Sequence, residues 1–237
     1  VPTYIYAITA ADHPINLEGL GGVGDPSGEL RTVGTKALSA VVSDAPEGLR
    51  AKRRDLVAHQ SVLERLLADG AALPMRFGLV GPDDSQVVAA LDEHREAYTE
   101  RLTQIDGCVE YNLKVSRDED DLLREVVADS AEVQRLNQRT RDNPQAQDDK
   151  VALGELIARE VQNREQRQAA ELVETLAPHA VGHAQAEPTK THFVNVSFLI
   201  RRDRTAAFSD LIDETAKRYG EAYQLSLHGP LPPYSFV

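Results

Sequence analysis

The stretch HQSVLERLLADGAALPMRFG, residues 59–78, decides how this chain is read. Leu56, His59, Leu63, Leu66 and Leu67 recur at helical spacing up to Asp69-Gly70, so an amphipathic helix lying on a sheet is expected, with Gly70 as its stop. His59, on the inner face of that helix, is expected to be a hydrogen-bonded structural histidine. The following Leu73-Pro74-Met75-Arg76-Phe77-Gly78 has the look of an interrupted strand, because Pro74 cannot donate to a ladder and Arg76 stands between Met75 and Phe77. A buried guanidinium without a partner is strongly destabilising. Arg76 is therefore expected to be paired with a carboxylate or with main-chain carbonyls.

Upstream, Thr3 to Thr9 is predicted to be a covered strand, since both of its alternating faces are mostly apolar. Gly19, Gly21, Gly22, Gly24 and Gly28 then crowd into LEGLGGVGDPSG. A phosphate cradle needs a helix N-terminus directly after such a loop, and here the strand Lys36 to Ser43 comes next, so a flexible connection is expected. Downstream, Pro82-Asp83-Asp84-Ser85 opens one helix through Val87, Leu91, Tyr98, Leu102 and Ile105. CVEYNLKVS then alternates, with Val109, Tyr111, Leu113 and Val115 on the covered face and Glu110, Asn112 and Lys114 on the wet one.

Strand, strand, helix, strand, helix, strand is the order of a ferredoxin-like domain. Helical pattern continues through residues 118–140, and Arg139 to Asp149, with Pro144 and almost no apolar residue, is the expected linker. A long helix from about Lys150 to Ala177 follows, polar all round in its middle QNREQRQ. Strands near His179–Glu187 and HFVNVSFLIRR, a helix over 204–219 and a strand carrying Tyr223, Leu225 and Leu227 complete a second unit. The expected fold class is thus α+β: two ferredoxin-like domains, residues 1–140 with trailing helices and residues 141–237, ending in a Pro-rich tail. That tail, Gly229 to Val237, is stiffened by Pro230, Pro232 and Pro233 and carries Tyr234 and Phe236, so it is expected to be docked.

A hydrophobic fraction of 41% with 27% charged residues suits a globular protein with a sizeable core. No run reaches the length of a membrane span, and no secretory signal pattern opens the sequence. A net charge of −12 speaks against nucleic-acid binding. Residues 118–187 hold 16 Asp and Glu against 8 Lys and Arg, so most of that charge sits in the helical middle. Cys108 stands alone, which excludes an internal disulfide and fits a reducing, cytoplasmic setting.

Catalytic, cofactor and metal patterns are not found. His179 and His183 have a helical metal-ligand spacing, but Pro178 disfavours a continuing helix there. No nucleophile elbow occurs, the Asp pairs sit where helix starts favour negative charge, and Cys108 has no basic neighbour. No catalytic residue, cofactor or metal is expected on this reading. The alternative is a small-molecule- or metal-binding ferredoxin-like enzyme or sensor, resting on the Gly-rich loop and the two histidines.

Tyr4-Ile5-Tyr6-Ala7-Ile8, Leu38 to Ser43, Ala58-His59, Leu73-Pro74-Met75-Arg76-Phe77-Gly78 and Gly229-Pro230-Leu231-Pro232-Pro233-Tyr234-Ser235-Phe236 together resemble the gas vesicle protein F/L family, over residues 4–236. Leu231 departs from that pattern, where the family commonly has Trp. The resemblance implies two ferredoxin-like α+β domains. It also implies a non-enzymatic accessory role in gas vesicle assembly, cytoplasmic and vesicle-associated, with the hydrophobic shell protein and other accessory proteins as partners. Leu73, Pro74, Arg76, Phe77, Gly78, Gly229, Pro230, Pro232, Pro233, Tyr234 and Phe236 are the expected structural or partner-contact residues. The segment Leu73 to Gly78, a strap between helix and sheet, and the tail are expected to meet near the domain junction and hold the two halves in a fixed relation.

Overall fold

The computed structural model describes residues 1–143 and 145–237, so Pro144 of the expected linker lies outside the described residues. The chain forms two compact units, Val1–Glu110 with Gly229–Val237, and Tyr111–His228.

In the first unit, β1 (Thr3–Ala10), β2 (Arg31–Gly34), β3 (Leu38–Asp44), β4 (Ala72–Pro74) and β5 (Val80–Gly81) form one sheet in the order β2-β3-β1-β4, with β5 also on β1. The pairings of β1 with β3, β4 and β5 are antiparallel, and the β1–β3 register shifts between Ile5 and Ala7. Tyr4 and Tyr6 face α1 (Arg53–Asp69) and join Val62, Leu63 and Leu66 in the core. Thr3 turns the other way and donates its hydroxyl to Asp84 at 2.6 Å, at the start of α2 (Asp84–Glu93). Arg31 grips the same carboxylate through Nε at 3.0 Å and Nη2 at 2.8 Å, and reaches Asp44 at 2.9 Å.

The expected single helix after Pro82 is two, α2 and α3 (Arg95–Ile105), broken at His94. The expected strand 73–78 keeps only β4, because Pro74 ends the ladder and the chain then turns through Gly78. Leu56, placed on the buried stripe from its spacing, is exposed. The stripe is turned by one position and runs through Asp55, His59, Val62, Leu63 and Leu66.

β6 (Cys108–Arg117), α4 (Glu119–Asp129), α5 (Ala131–Asp142), α6 (Gln147–Leu176), β7 (Gly182–Gln185), β8 (Val194–Arg201), α7 (Thr205–Tyr219) and β9 (Tyr223–Leu231) follow. Their sheet has the order β7-β8-β6-β9. The two sheets with their helices make an α+β protein of two ferredoxin-like units.

The division between the units falls inside β6 and β9, so the boundary expected between 140 and 141 lies within the second unit. The physical reason is a seam hidden by the polarity of Arg139–Asp149. Leu122 and Val126 of α4, Val133 of α5 and Leu156 of α6 form one buried cluster, which ties both sides of that polar stretch together. Leu156→Ala should therefore destabilise the second unit by about 2–3 kcal/mol in urea unfolding. A helix tethered only by a flexible linker would show no such loss.

Candidate functional site

Several of the residues singled out by sequence lie on the α1 side of the first sheet, where four rings meet. Tyr4 and Tyr6 lie edge to face with centroids 4.7 Å apart, the His59 ring stacks on Tyr6 at 5.6 Å, and Phe77 meets both Tyr4 and His59 edge-on at 5.9 and 5.7 Å. Their polar atoms are buried, and each finds a partner.

The partners fix the protons. His59 Nε2 lies 3.1 Å from the Met75 carbonyl, which only accepts, so Nε2 carries the hydrogen and donates it. Nδ1 is then an acceptor, and the Tyr4 hydroxyl donates to it at 2.9 Å. The Tyr4 oxygen in turn accepts the Gly78 N–H at 3.2 Å. One histidine and one tyrosine thus hold the main chain at both ends of Met75-Arg76-Phe77-Gly78. Gly78 sits at φ +90°, a backbone that side chains rarely adopt.

Tyr6 performs the same service for the Gly-rich loop. Its oxygen accepts the Val23 N–H at 2.8 Å and lies 3.0 Å from Ser43 Oγ, while Ser43 donates to the Asp44 carbonyl at 3.2 Å. Tyr6 therefore donates to Ser43. Gly22 and Gly28 pair across the loop at 2.8 Å, and a Cβ on Gly22 would stand 2.6 Å from the Tyr6 oxygen. Close approach explains that glycine. The loop does lie against a helix start, that of α1, and the carboxylate it holds is the protein's own: Gly24 N–H donates to buried Asp55 at 2.9 Å. A feature resembling a phosphate cradle is a structural staple.

The Pro-rich ending joins the same unit. Pro232 and Pro233 are buried, Tyr234 and Phe77 pack on the same core cluster, and Tyr234 to Phe236 form a short 3-10 turn. Ser235 donates its N–H at 2.8 Å and its hydroxyl at 2.7 Å to the two oxygens of Glu110. Glu110 is 4% exposed, which corrects its assignment to the wet face of β6. Period-two alternation places a side chain on a face and is silent about what covers that face. Gly229, Pro230 and Leu231 lie exposed at the end of β9, and Phe236 is half-buried.

Leu73 and Pro74 are buried in β4. Arg76, between two clamped neighbours, is exposed and makes no hydrogen bond or ion pair through its side chain among the described residues. The expectation of a paired arginine is thus corrected: the strap leaves the sheet at Pro74, and the side chain swings to solvent. His179 ends a short 3-10 helix and His183 lies in β7, so their helical spacing is not realised. Among the described residues no three His, Cys, Asp or Glu gather to hold a metal ion, and no helix is long and apolar enough to cross a membrane.

The family model described as gas vesicle synthesis protein GvpL/GvpF matches residues 2–237. The chain belongs to the GvpL/GvpF family. Gas vesicle protein F of Streptomyces sp. (strain CB03234) is 45% identical over 236 residues, 99% of each chain, whereas gas vesicle protein L of the same strain is 25% identical over 99% of this chain and 92% of its own. The crystal structure of GvpF from Microcystis aeruginosa covers 100% of this chain and 98% of its own, with a TM-score of 0.80 at 23% identity. That of GvpF from Anabaena sp. PCC7120 covers 99% and 97%, with a TM-score of 0.80 at 24% identity. Likeness at that identity establishes the fold, and GvpL/GvpF membership gives the chain a role in gas vesicle formation.

Burial lowers the His59 pKa below its usual value near 6.5, opposed by the bond to Met75, and raises the phenols of Tyr4 and Tyr6. A histidine depressed in the folded state contributes stability above its unfolded pKa, and that contribution fades as pH falls below about 6.5. The parent should therefore lose melting temperature between pH 7 and pH 5 more steeply than His59→Gln, in parallel thermal scans. Equal slopes would contradict a neutral, buried imidazole. The docked tail has its own check: Glu110→Ala frees Ser235 and should cost about 1–3 kcal/mol in denaturant unfolding, with the tail becoming protease-sensitive.

Proposed function

We propose that this protein is a non-enzymatic accessory factor of F type for gas vesicle assembly, which binds the hydrophobic shell protein and other accessory proteins. It works in the cytoplasm, attached to forming vesicles, and needs no cofactor and no nucleic acid. The observation that supports this most is the contrast within residues 73–80. The strap's main chain is clamped by His59 and Tyr4, yet Arg76, Leu79 and Val80 are exposed, as is Leu56 on the helix that carries His59.

Arg76, Leu79 and Val80 lie on one short stretch of main chain tied to β1. Val80 pairs with Tyr4 across the β1–β5 ladder and so shares the α1 face of the sheet, and Leu79 accepts the Ile5 N–H at 3.1 Å. An apolar rim on a rigid backbone suits an apolar partner segment, because little ordering entropy remains to be lost on binding. Arg76 adds one guanidinium for a partner carboxylate, a directional contact within an otherwise greasy surface. The net charge of −12 keeps the factor itself dispersed.

Arg76→Glu gives the decisive experiment. Because the guanidinium is exposed and has no partner among the described residues, the variant should unfold within about 0.5 kcal/mol of the parent. It should nevertheless lose most of its capture of purified shell protein in a pull-down with the full chain. Undiminished capture by Arg76→Glu combined with Leu79→Ser and Val80→Ser would remove the strap from the contact.

A further inference from the structure

The second unit carries a separate feature, a cleft of about 390 Å³ between α6 and the β7–β8 hairpin. We propose that this cleft binds the side-chain ammonium of a lysine presented by a partner polypeptide, with Glu165 as its counter-ion.

Charge accounting around α6 singles out Glu165. Arg117 is buried, pairs with Glu125 and lies over the Tyr223 ring, its guanidinium carbon 4.7 Å from the centroid. Arg164 pairs with Asp129 at 3.0 Å and approaches Glu125 at 3.6 Å. Asp121 and Arg124 satisfy each other. Two guanidinium groups therefore face Glu125, Asp129 and Glu165, and one negative charge is left over. Of these three, Glu165 is the one with no hydrogen bond or ion pair among the described residues, and it lines the cleft half-buried. Desolvation there raises its pKa, opposed by the charge of Arg117.

The rest of the lining selects the cation. Gln162, Gln166 and Gln185 line it with side-chain amides, while Ala169, Ala170 and the half-buried Phe193 supply an apolar wall. A lysine has four methylenes to lay along such a wall and three N–H donors to divide between a carboxylate and amide oxygens. The ring of Phe193 favours a nearby cation further. A polypeptide fits better than a free amine because β7 is the edge strand of its sheet and offers main-chain groups beside the cleft.

The test uses the full chain and a capped hexapeptide of Val and Thr with one central Lys, alongside its norleucine twin and butylammonium. NMR follows the side-chain amides of Gln162, Gln166 and Gln185. Saturable shifts are expected with the lysine peptide, about tenfold weaker with the norleucine twin and with butylammonium, and absent in Glu165→Gln. That variant should melt no lower than the parent, since it removes a desolvated charge. Equal binding of the norleucine twin, or binding that survives Glu165→Gln, overturns the proposal. A lower melting temperature of Glu165→Gln would do the same by making Glu165 a structural partner of Arg117, and butylammonium binding as tightly as the peptide would overturn the polypeptide partner. None of these outcomes depends on the strap, so the two surfaces stand or fall separately.

Discussion

A buried polar group must be satisfied where it sits, and in the first unit this constraint organises nearly everything else. Tyr4 and Tyr6 bring two hydroxyls into the core from one strand, and His59 brings two ring nitrogens from the helix above it. None of these atoms can reach water. They are satisfied by main chain that arrives from distant sequence: Met75 and Gly78 from the strap, Val23 from the Gly-rich loop. Removing any one of these segments strands a polar atom, and each costs more unsatisfied than it contributes when paired. The strap and the loop, which lack regular structure, therefore inherit the rigidity of the sheet.

How much of this the sequence exposes depends on the kind of signal involved. The ferredoxin-like order of elements follows from periodicity, and α1, β1, β3, β6, β8 and α7 lie close to where spacing puts them. His59 on an inner helical face can be expected to bond to something. What it bonds to is a carbonyl sixteen residues away, whose position depends on the strand between them, and no local pattern carries that information. Glu110 is a sharper case, since alternation alone sends it to solvent and only the return of the tail 125 residues later makes it an internal carboxylate. Arg76 errs in the opposite sense. Two apolar neighbours suggest burial, yet a segment that has left its ladder at Pro74 no longer alternates with the sheet.

The same limit governs the boundary between units. Arg139–Asp149 is polar enough to pass for a linker, and composition is the only guide when a sequence is read linearly. Packed helices bury one narrow stripe each, so the sequence between them can be almost free of apolar residues even when both share a core. Compactness is a property of Leu122, Val126, Val133 and Leu156 together, four residues spread over α4, α5 and α6.

The polar middle of α6 follows from what the helix spans. Its first half supplies Leu156 to the seam with α4 and α5, while Leu172, Val173 and Leu176 are buried in its last turns. Between them Arg164 and Gln168 meet the group around Arg117, with Gln168 donating to the Tyr223 hydroxyl at 2.5 Å. An apolar seam of equal area would hold the helix at least as strongly, because a buried ion pair seldom repays its desolvation. An apolar stripe, however, tolerates a slide by one turn. Arg164, held by Asp129 and Glu125 of α4, does not, since such a slide would leave its largely buried charge alone. The polar joint therefore fixes which residues of α6 line the cleft beside β7, and it does so at the point where the helix passes from one apolar cluster to the next.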